Sequence, residues 1–393
     1  MNKKIPLGIT IGLVILACAV SCAISVGVME KAYDYVLSGL PGKLERYEIL
    51  DELDDIINKN YYGKSEQANL EYAMAEGYVK GLGDESSEYM TASQYTDYLA
   101  ERNGDIKGIG IEYKKAEKSR IEITSVDKHS PAYEAGLRKG DIIIAFDGIM
   151  IDAENYAQME EKLTGDKVTS VNLIYKRGET EKTVSVTKGY EAKSVTTDVY
   201  ETVGYIEITD FYPSTAAQVK DAVDKYTSSQ IDAIVIDLRE NDSDNYDVAM
   251  EILDIFVPMS DSGKAAASVI DENGNTVKTY TTTAGEVNLP VAVLLSDKTK
   301  QAAELFACNL RDFGKALLFA EETSGGSALV QDVFVLSQGS AVLLTTGKVL
   351  PYSARSFDIV GIEPDYILEK GKQTSKISKD SQFLYAVSVM VSE

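Results

Sequence analysis

The sequence predicts a mixed α/β (α+β) protein, and three patterns carry that prediction. The short apolar run Leu289 to Leu295, around Pro290, reads as a buried strand, and Ala302, Leu305, Phe306, Asn309, Leu310 and Phe313 then recur at helical spacing. Upstream, the strand pattern Gly204 to Ile208, a helix to about Tyr226 and the apolar strand Ile231 to Leu238 repeat this alternation, which points to a sheet with crossover helices. Ahead of both lies an uncharged stretch, Ile5 to Met29, followed by a polar helical pattern.

With 393 residues, 44% of them hydrophobic and 26% charged, the chain has material for two or three packed domains. A formal charge of −23 argues against nucleic-acid backbones and anionic surfaces as partners. The uncharged stretch is 25 residues long. As a helix it would reach about 37 Å, against a hydrocarbon core of roughly 30 Å. It is expected to be an uncleaved transmembrane signal anchor (1–30); a cleaved signal peptide and a lipid-modified Cys18 are the rival readings. Lys3 and Lys4 are the only charges before it, so the bulk of a single-pass chain in the cell membrane is expected to be extracytoplasmic.

Cys308 is the one cysteine beyond that stretch, which leaves no internal disulfide, and its place on the helical pattern makes core packing its expected role. His129 is the only histidine. No zinc-type cluster and no Ser-His-Asp triad can be built, and no metal or cofactor is expected.

Residues 31–103 read as helical, with Leu50, Leu53, Ile56 and Ile57 on one face and a break at Gly81, Gly83 and Asp84. They would form a stalk that packs on the fold or pairs with a second copy in a homodimer. Residues 104–190 open with Gly108-Ile109-Gly110-Ile111, then Ser130-Pro131-Ala132, Glu134-Ala135-Gly136-Leu137, Gly140-Asp141-Ile142-Ile143 and Asp147-Gly148. This segment resembles a PDZ domain of the bacterial type. A helix is expected from about Ala153 to Leu163, with paired strands at Val168 to Tyr175 and Thr183 to Val186. The resemblance implies that an extended peptide adds as a strand, its terminal carboxylate held by backbone N–H groups of Gly108, Ile109, Gly110 and Ile111. The bland alternative is a PDZ fold serving as a lid or spacer.

Residues 191–393 carry the second resemblance. The Pro-Val apolar run, Ala303-Glu304-Leu305, Asp312-Phe313-Gly314-Lys315-Ala316, Glu322-Thr323 and Gln331 look like the C-terminal processing (tail-specific) serine peptidases. In that family the strand-to-helix junction carries a serine nucleophile, and the loop after the next strand carries a lysine base. Aligning on Glu304 puts Gln301 at the nucleophile, and aligning on Thr323 puts Gly326 at the base. Gln331 resembles a supporting glutamine, displaced by one residue. The family continues its Asp-Leu-Arg strand into Asn-Pro-Gly-Gly, whereas this chain reads Asp237-Leu238-Arg239-Glu240-Asn241-Asp242-Ser243-Asp244. Asp242 and Asp244 would repel charge developing on an oxyanion.

Framework motifs are thus kept where chemical ones are lost. That implies a membrane-anchored pseudopeptidase binding protein C-terminal tails as a scaffold or regulator of proteolysis. The alternatives are an active serine-type processing peptidase with rearranged groups, Ser324 and Lys300 serving as nucleophile and base, and a purely structural envelope platform.

Overall fold

The computed structural model describes residues 40–164, 169–259, 265–283, 285, 287–371, 374 and 376–392, together with Ser21 and Met29. The expected anchor, 1–30, lies outside the described residues apart from those two. Among the described residues no helix is long and apolar enough to cross a membrane.

The chain divides into two units, 1–73 and 74–393. The first contains the helix Leu40–Asn60. It carries helix pairs four residues apart, Lys59 to Asp55 and Asn58 to Asp54, while Ile49, Leu50, Leu53 and Ile56 are exposed.

In the second unit a six-stranded sheet runs in the order Val195–Tyr200, Val203–Ile208, Ala233–Asp237, Val291–Leu294, Ala316–Ala320, Tyr366–Ile367. The first pair is antiparallel and the rest are parallel. The expected alternation of strand and helix is therefore present, because runs such as Ala233-Ile234-Val235-Ile236 can only be buried on both faces. Ile234, Ile236, Val291, Val293 and Leu318 face the helices Thr215–Thr227, Tyr246–Phe256 and Gln301–Asp312. Ala233, Val235, Ala292, Leu294 and Phe319 face the C-terminal helix Ser381–Ser392 through Phe383, Ala386 and Val387.

Arg239, just past the end of one central strand, ties that last helix to the sheet. Its guanidinium donates to Asp237, to Asp380 at 2.9 Å and to Gln382 at 2.6 Å, and all four side chains are buried. Asp380 in turn accepts the backbone N–H of Gln382 and Phe383, so it caps the helix it anchors.

A second sheet joins Glu88–Met90, Ala341–Pro351, Ala267–Ile270 and Thr276–Tyr280, with Leu329–Val335 also pairing to Ala341–Pro351. Here the structure departs from an all-helical 31–103. Glu88–Met90 is a strand against Ala341–Leu343, because Met90 has a buried seat with Ala341 and Leu343. The helix Ala92–Asn103 follows, opened by a Thr91–Gln94 capping box and stopped at Gly104, whose φ is 78°. A Cβ on Gly104 would lie 2.9 Å from Tyr212, so this close approach needs glycine.

The third sheet follows the order Ile111–Lys115, Ile121–Val126, Ile142–Phe146, Ser170–Arg177, Thr180–Thr187. The helix Tyr156–Thr164 contributes Met159 and Leu163 to its core. Ile111–Lys115 is an edge strand, paired only through Ile121–Val126 among the described residues.

Replacing Arg239 by Met would leave the carboxylates of Asp237 and Asp380 buried without a counter-charge. The expected loss is about 3–5 kcal/mol, measured by urea unfolding. A loss below about 1 kcal/mol, the level of an exposed pair, would mean that the network does not anchor the last helix.

Candidate functional site: a closed peptidase junction and an open groove

The junction between Val291–Leu294 and Gln301–Asp312 sits at the carboxyl ends of the parallel strands, where α/β sheets place their ligands. Leu295 to Lys300 is stitched down on both sides. Ser296 Oγ donates to the Arg239 carbonyl, Thr299 Oγ1 donates to the Leu238 carbonyl at 2.8 Å, and Lys300 N–H donates to Asn241 O at 3.1 Å.

Gln301 then opens the helix with φ at 50°, a left-handed value uncommon for a residue with a side chain. Its side chain is half-buried and lines a cleft of about 330 Å³ with Tyr98, Arg102, Tyr212, Asp242, Asp244 and Gln331. The residue expected from the sequence at the nucleophile position thus occupies a sharp turn at the start of the helix. What it presents there is an amide.

The first N–H groups of that helix are all engaged. Gln301 N–H reaches Glu304 Oε2 at 3.0 Å, Ala302 N–H reaches the Ser243 carbonyl at 2.9 Å and Ala303 N–H reaches Lys300 O at 3.1 Å. Ser243 N–H is itself held by Asn241 Oδ1 at 3.1 Å. Such groups would stabilise an oxyanion in an acyl-transfer site, but here each has a partner inside the protein.

Glu304 is fully buried and gathers four donors: the amides of Gln301, Gly326 and Ser327 and the hydroxyl of Ser324. Burial raises its carboxyl above the ordinary value, against the opposing pull of those four donors. The anion seat at this helix N-terminus is therefore filled by the helix's own side chain.

The remaining candidate residues fall around this carboxylate. Ser324 is buried; its Oγ donates to Glu304 and accepts Ile362 N–H at 2.7 Å, so neither bond goes to Lys300. Lys300 is exposed, although its loop does face the second one: Gly325 N–H donates to Thr299 O at 2.9 Å. Lys298 pairs with Glu240 at 2.7 Å. Gly326, expected from the sequence at the base position, has φ at 74° and packs against residues 359 and 361. A Cβ there would come within 2.8 Å of Gly361 N and of Ile359 C and O. Gln331 lines the cleft and donates to the Ser86 carbonyl.

The expected repulsion from two carboxylates is halved. Arg102, on the helix Ala92–Asn103, donates to both oxygens of Asp244 at 2.7 Å, while Asp242 stays exposed. Sequence reasoning did not find Arg102, which is 142 residues away from its partner. Its one local signal was Tyr98, four residues earlier, whose hydroxyl lies 3.1 Å from the guanidinium.

The groove is arranged differently. The carbonyls of Gly108, Ile109 and Gly110 accept N–H groups of Gly189, Ala132 and Asp127 at 2.7, 3.1 and 3.0 Å. In a trans peptide the following N–H points the opposite way, so the amides of Ile109, Gly110 and Ile111 turn from that interior. Gly108 and Gly110 have φ of 82° and 81°. A Cβ on Gly110 would meet Ser130 Cβ at 2.1 Å, which ties this loop to the Ser130-Pro131 turn. A cavity of about 360 Å³ lies between this loop, Tyr113 of the edge strand and Leu163 of the helix.

Comparison with known proteins agrees with both halves. Residues 107–187 match the PDZ domain and residues 202–368 match peptidase family S41. The "Probable CtpA-like serine protease" of Staphylococcus haemolyticus (strain JCSC1435) is 31% identical over 362 residues, covering 90% of this chain and 70% of that protein. Its counterpart in Staphylococcus aureus (strain COL) is 29% identical over 376 residues, covering 94% and 73%. Among solved structures, the photosystem II D1 C-terminal processing protease shares the fold, with a TM-score of 0.52, 19% identity and coverage of 81% of this chain and 87% of that one. By its sequence and its fold, the chain belongs to the CtpA-like C-terminal processing proteases of peptidase family S41 and carries their PDZ domain.

Proposed function

We propose that this member of the family is a membrane-anchored, extracytoplasmic pseudopeptidase that binds the C-terminal tails of proteins through its PDZ domain and acts as a scaffold or regulator of proteolysis. The observation that supports it best is the closed junction. Gln301 stands where the family has its serine, and the amides of Lys300, Gln301, Ala302 and Ala303 all have acceptors within the protein. Gln301 offers no oxygen of useful nucleophilicity and Gly326 offers no base. The groove keeps what recognition needs: an edge strand, a glycine loop with outward amides and an apolar wall.

Purified protein is expected neither to cleave a tail-bearing unfolded substrate nor to take up a fluorophosphonate probe. Labelling or turnover abolished by Ser324→Ala would instead establish the active reading with rearranged groups. Turnover that survives that substitution would refute both.

Restoring the family's two side chains should not restore hydrolysis. In Gln301→Ser with Gly326→Lys, the lysine is forced into a left-handed backbone and against Ile359 and Gly361. The strain is expected to cost on the order of 1–3 kcal/mol of stability, read by thermal or urea unfolding beside a peptide-cleavage assay. A double variant as stable as the parent that also cleaves would show that the closed junction is no obstacle.

The anchor is tested by topology. Ile5 to Met29 is preceded by Lys3 and Lys4, so protease added to intact cells should digest the chain beyond about Glu30. Full protection of the chain in intact cells, with digestion after lysis, would place it on the other side.

A further inference from the structure

The segment that carries Asp244 is pinned from both sides. The carbonyls of Asn241 and Ser243 accept the N–H groups of Lys300 and Ala302 at 3.1 and 2.9 Å, which ties the segment to the junction helix. On the other side Asn245 caps the helix Tyr246–Phe256 through Val248 N–H and donates to the Phe211 carbonyl at 3.0 Å. Asp244 therefore stands on a rigid platform.

The helix that faces it is held far less firmly. Ala92–Asn103 has no fully buried side chain; Tyr95 and Tyr98, both half-buried, rest on the small cluster of Met90, Ala341 and Leu343. Segments with so few buried apolar contacts open at a small fraction of the global unfolding free energy. The helix ends at Gly104, whose backbone is the least restricted of any residue type.

Arg102 bridges the two. Its guanidinium donates to both oxygens of Asp244 at 2.7 Å and to the Tyr98 hydroxyl at 3.1 Å, which keeps the side chain aligned along its own helix. Among the described residues no other ion pair joins the helix to the platform. Both side chains are 33% exposed, so salt reaches the pair. Beneath it lies the cleft of about 330 Å³, with Tyr98, Glu101 and Arg102 on the helix side and Asp242, Asp244 and Gln301 on the platform side. That volume accepts a side chain but not a length of polypeptide. The junction amides are bonded where they stand, so the cleft can widen only on the helix side.

We infer that the helix Ala92–Asn103 is a lid over the Gln301 cleft and that the Arg102–Asp244 pair is the strap that holds it shut. Entry of a polypeptide segment to Gln301 then waits on the breaking of one partly exposed ion pair. The tail-binding function proposed above does not depend on this device.

The test measures how fast a maleimide carried on a long polymer labels a thiol placed in the cleft by Gln301→Cys, in the full-length chain with Cys18→Ala and Cys22→Ala. Cys308, buried on the same helix, is the internal control, since opening of the lid leaves it covered and loss of the fold exposes it. Ser337→Cys, in an exposed turn, sets the rate for an uncovered thiol. The cleft thiol is expected to react well below that rate. Arg102→Met and Asp244→Asn should each speed it about two- to fivefold, the range of a partly exposed pair. Raising the ionic strength from about 0.05 to about 0.5 M should speed it with the pair intact and change nothing in the two variants. Labelling in the cleft as fast as at position 337 overturns the inference, because no lid is then closed. Rates indifferent to both substitutions overturn it as well. Acceleration that Cys308 shares does the same, since the pair then holds the fold rather than the cleft.

Discussion

One buried carboxylate organises the junction. Glu304 sits in the first turn of its helix, where the aligned peptide dipoles favour negative charge, and it takes up donors from both sides of a gap in the chain. The loop around Ser324 to Ser327 is thereby pulled onto the helix N-terminus. Glycine at 326 follows from this closeness, since the neighbouring backbone leaves no room for a Cβ. With that loop seated, Gly325 can bond Thr299, Thr299 can bond Leu238, and the segment after Asn241 is drawn in through Lys300 and Ala302. The charge that holds the site together is also the charge that occupies it.

How much of this could be read beforehand depended on whether the signal was local. The strand and helix at Val291–Leu294 and Gln301–Asp312 were legible because burial forces a continuous apolar run and then a helical stripe. The glycine loop and the strand it opens were legible through the resemblance of residues 104–190 to a PDZ domain, since IEYKK itself is mostly polar. The helix Tyr246–Phe256 was not read, although Val248, Ala249, Ile252, Leu253 and Phe256 carry a helical stripe. The strand Glu88–Met90 was beyond reach, since three residues show no period and their partner lies about 250 positions away. Arg102 and Asp244 met the same obstacle. Pair identity across such separations is set by the tertiary fold and leaves no local trace.

The surviving motifs separate by the kind of work they do. Asp237, Arg239 and Asp380 satisfy one another inside the protein, and loss of Arg239 strands two carboxylates where water cannot reach them. Such a network is retained whether or not the cleft performs chemistry. Gln301 meets the opposite condition: its side chain lines the cleft while its backbone is held on both sides. The left-handed φ persists because the amides of residues 300 to 303 are all bonded where they stand. A strained backbone persists when its neighbours over-determine it.

The groove offers the contrast that decides where recognition resides. An exposed sheet edge carries unpaired main-chain groups and invites association, so proteins usually blunt it with charge or cover it. Here the edge strand Ile111–Lys115 is lined by Glu112, Lys114 and Lys115 on its exposed positions and is flanked by a helix rather than covered by one. That arrangement discourages indiscriminate pairing and still admits one extended segment. The junction consumes its backbone donors internally, while the glycine loop, with its carbonyls bound inward, turns the amides of Ile109, Gly110 and Ile111 away from the interior. A ligand with an extended backbone and a terminal carboxylate therefore finds matching donors at the groove and none at the first turn of the junction helix.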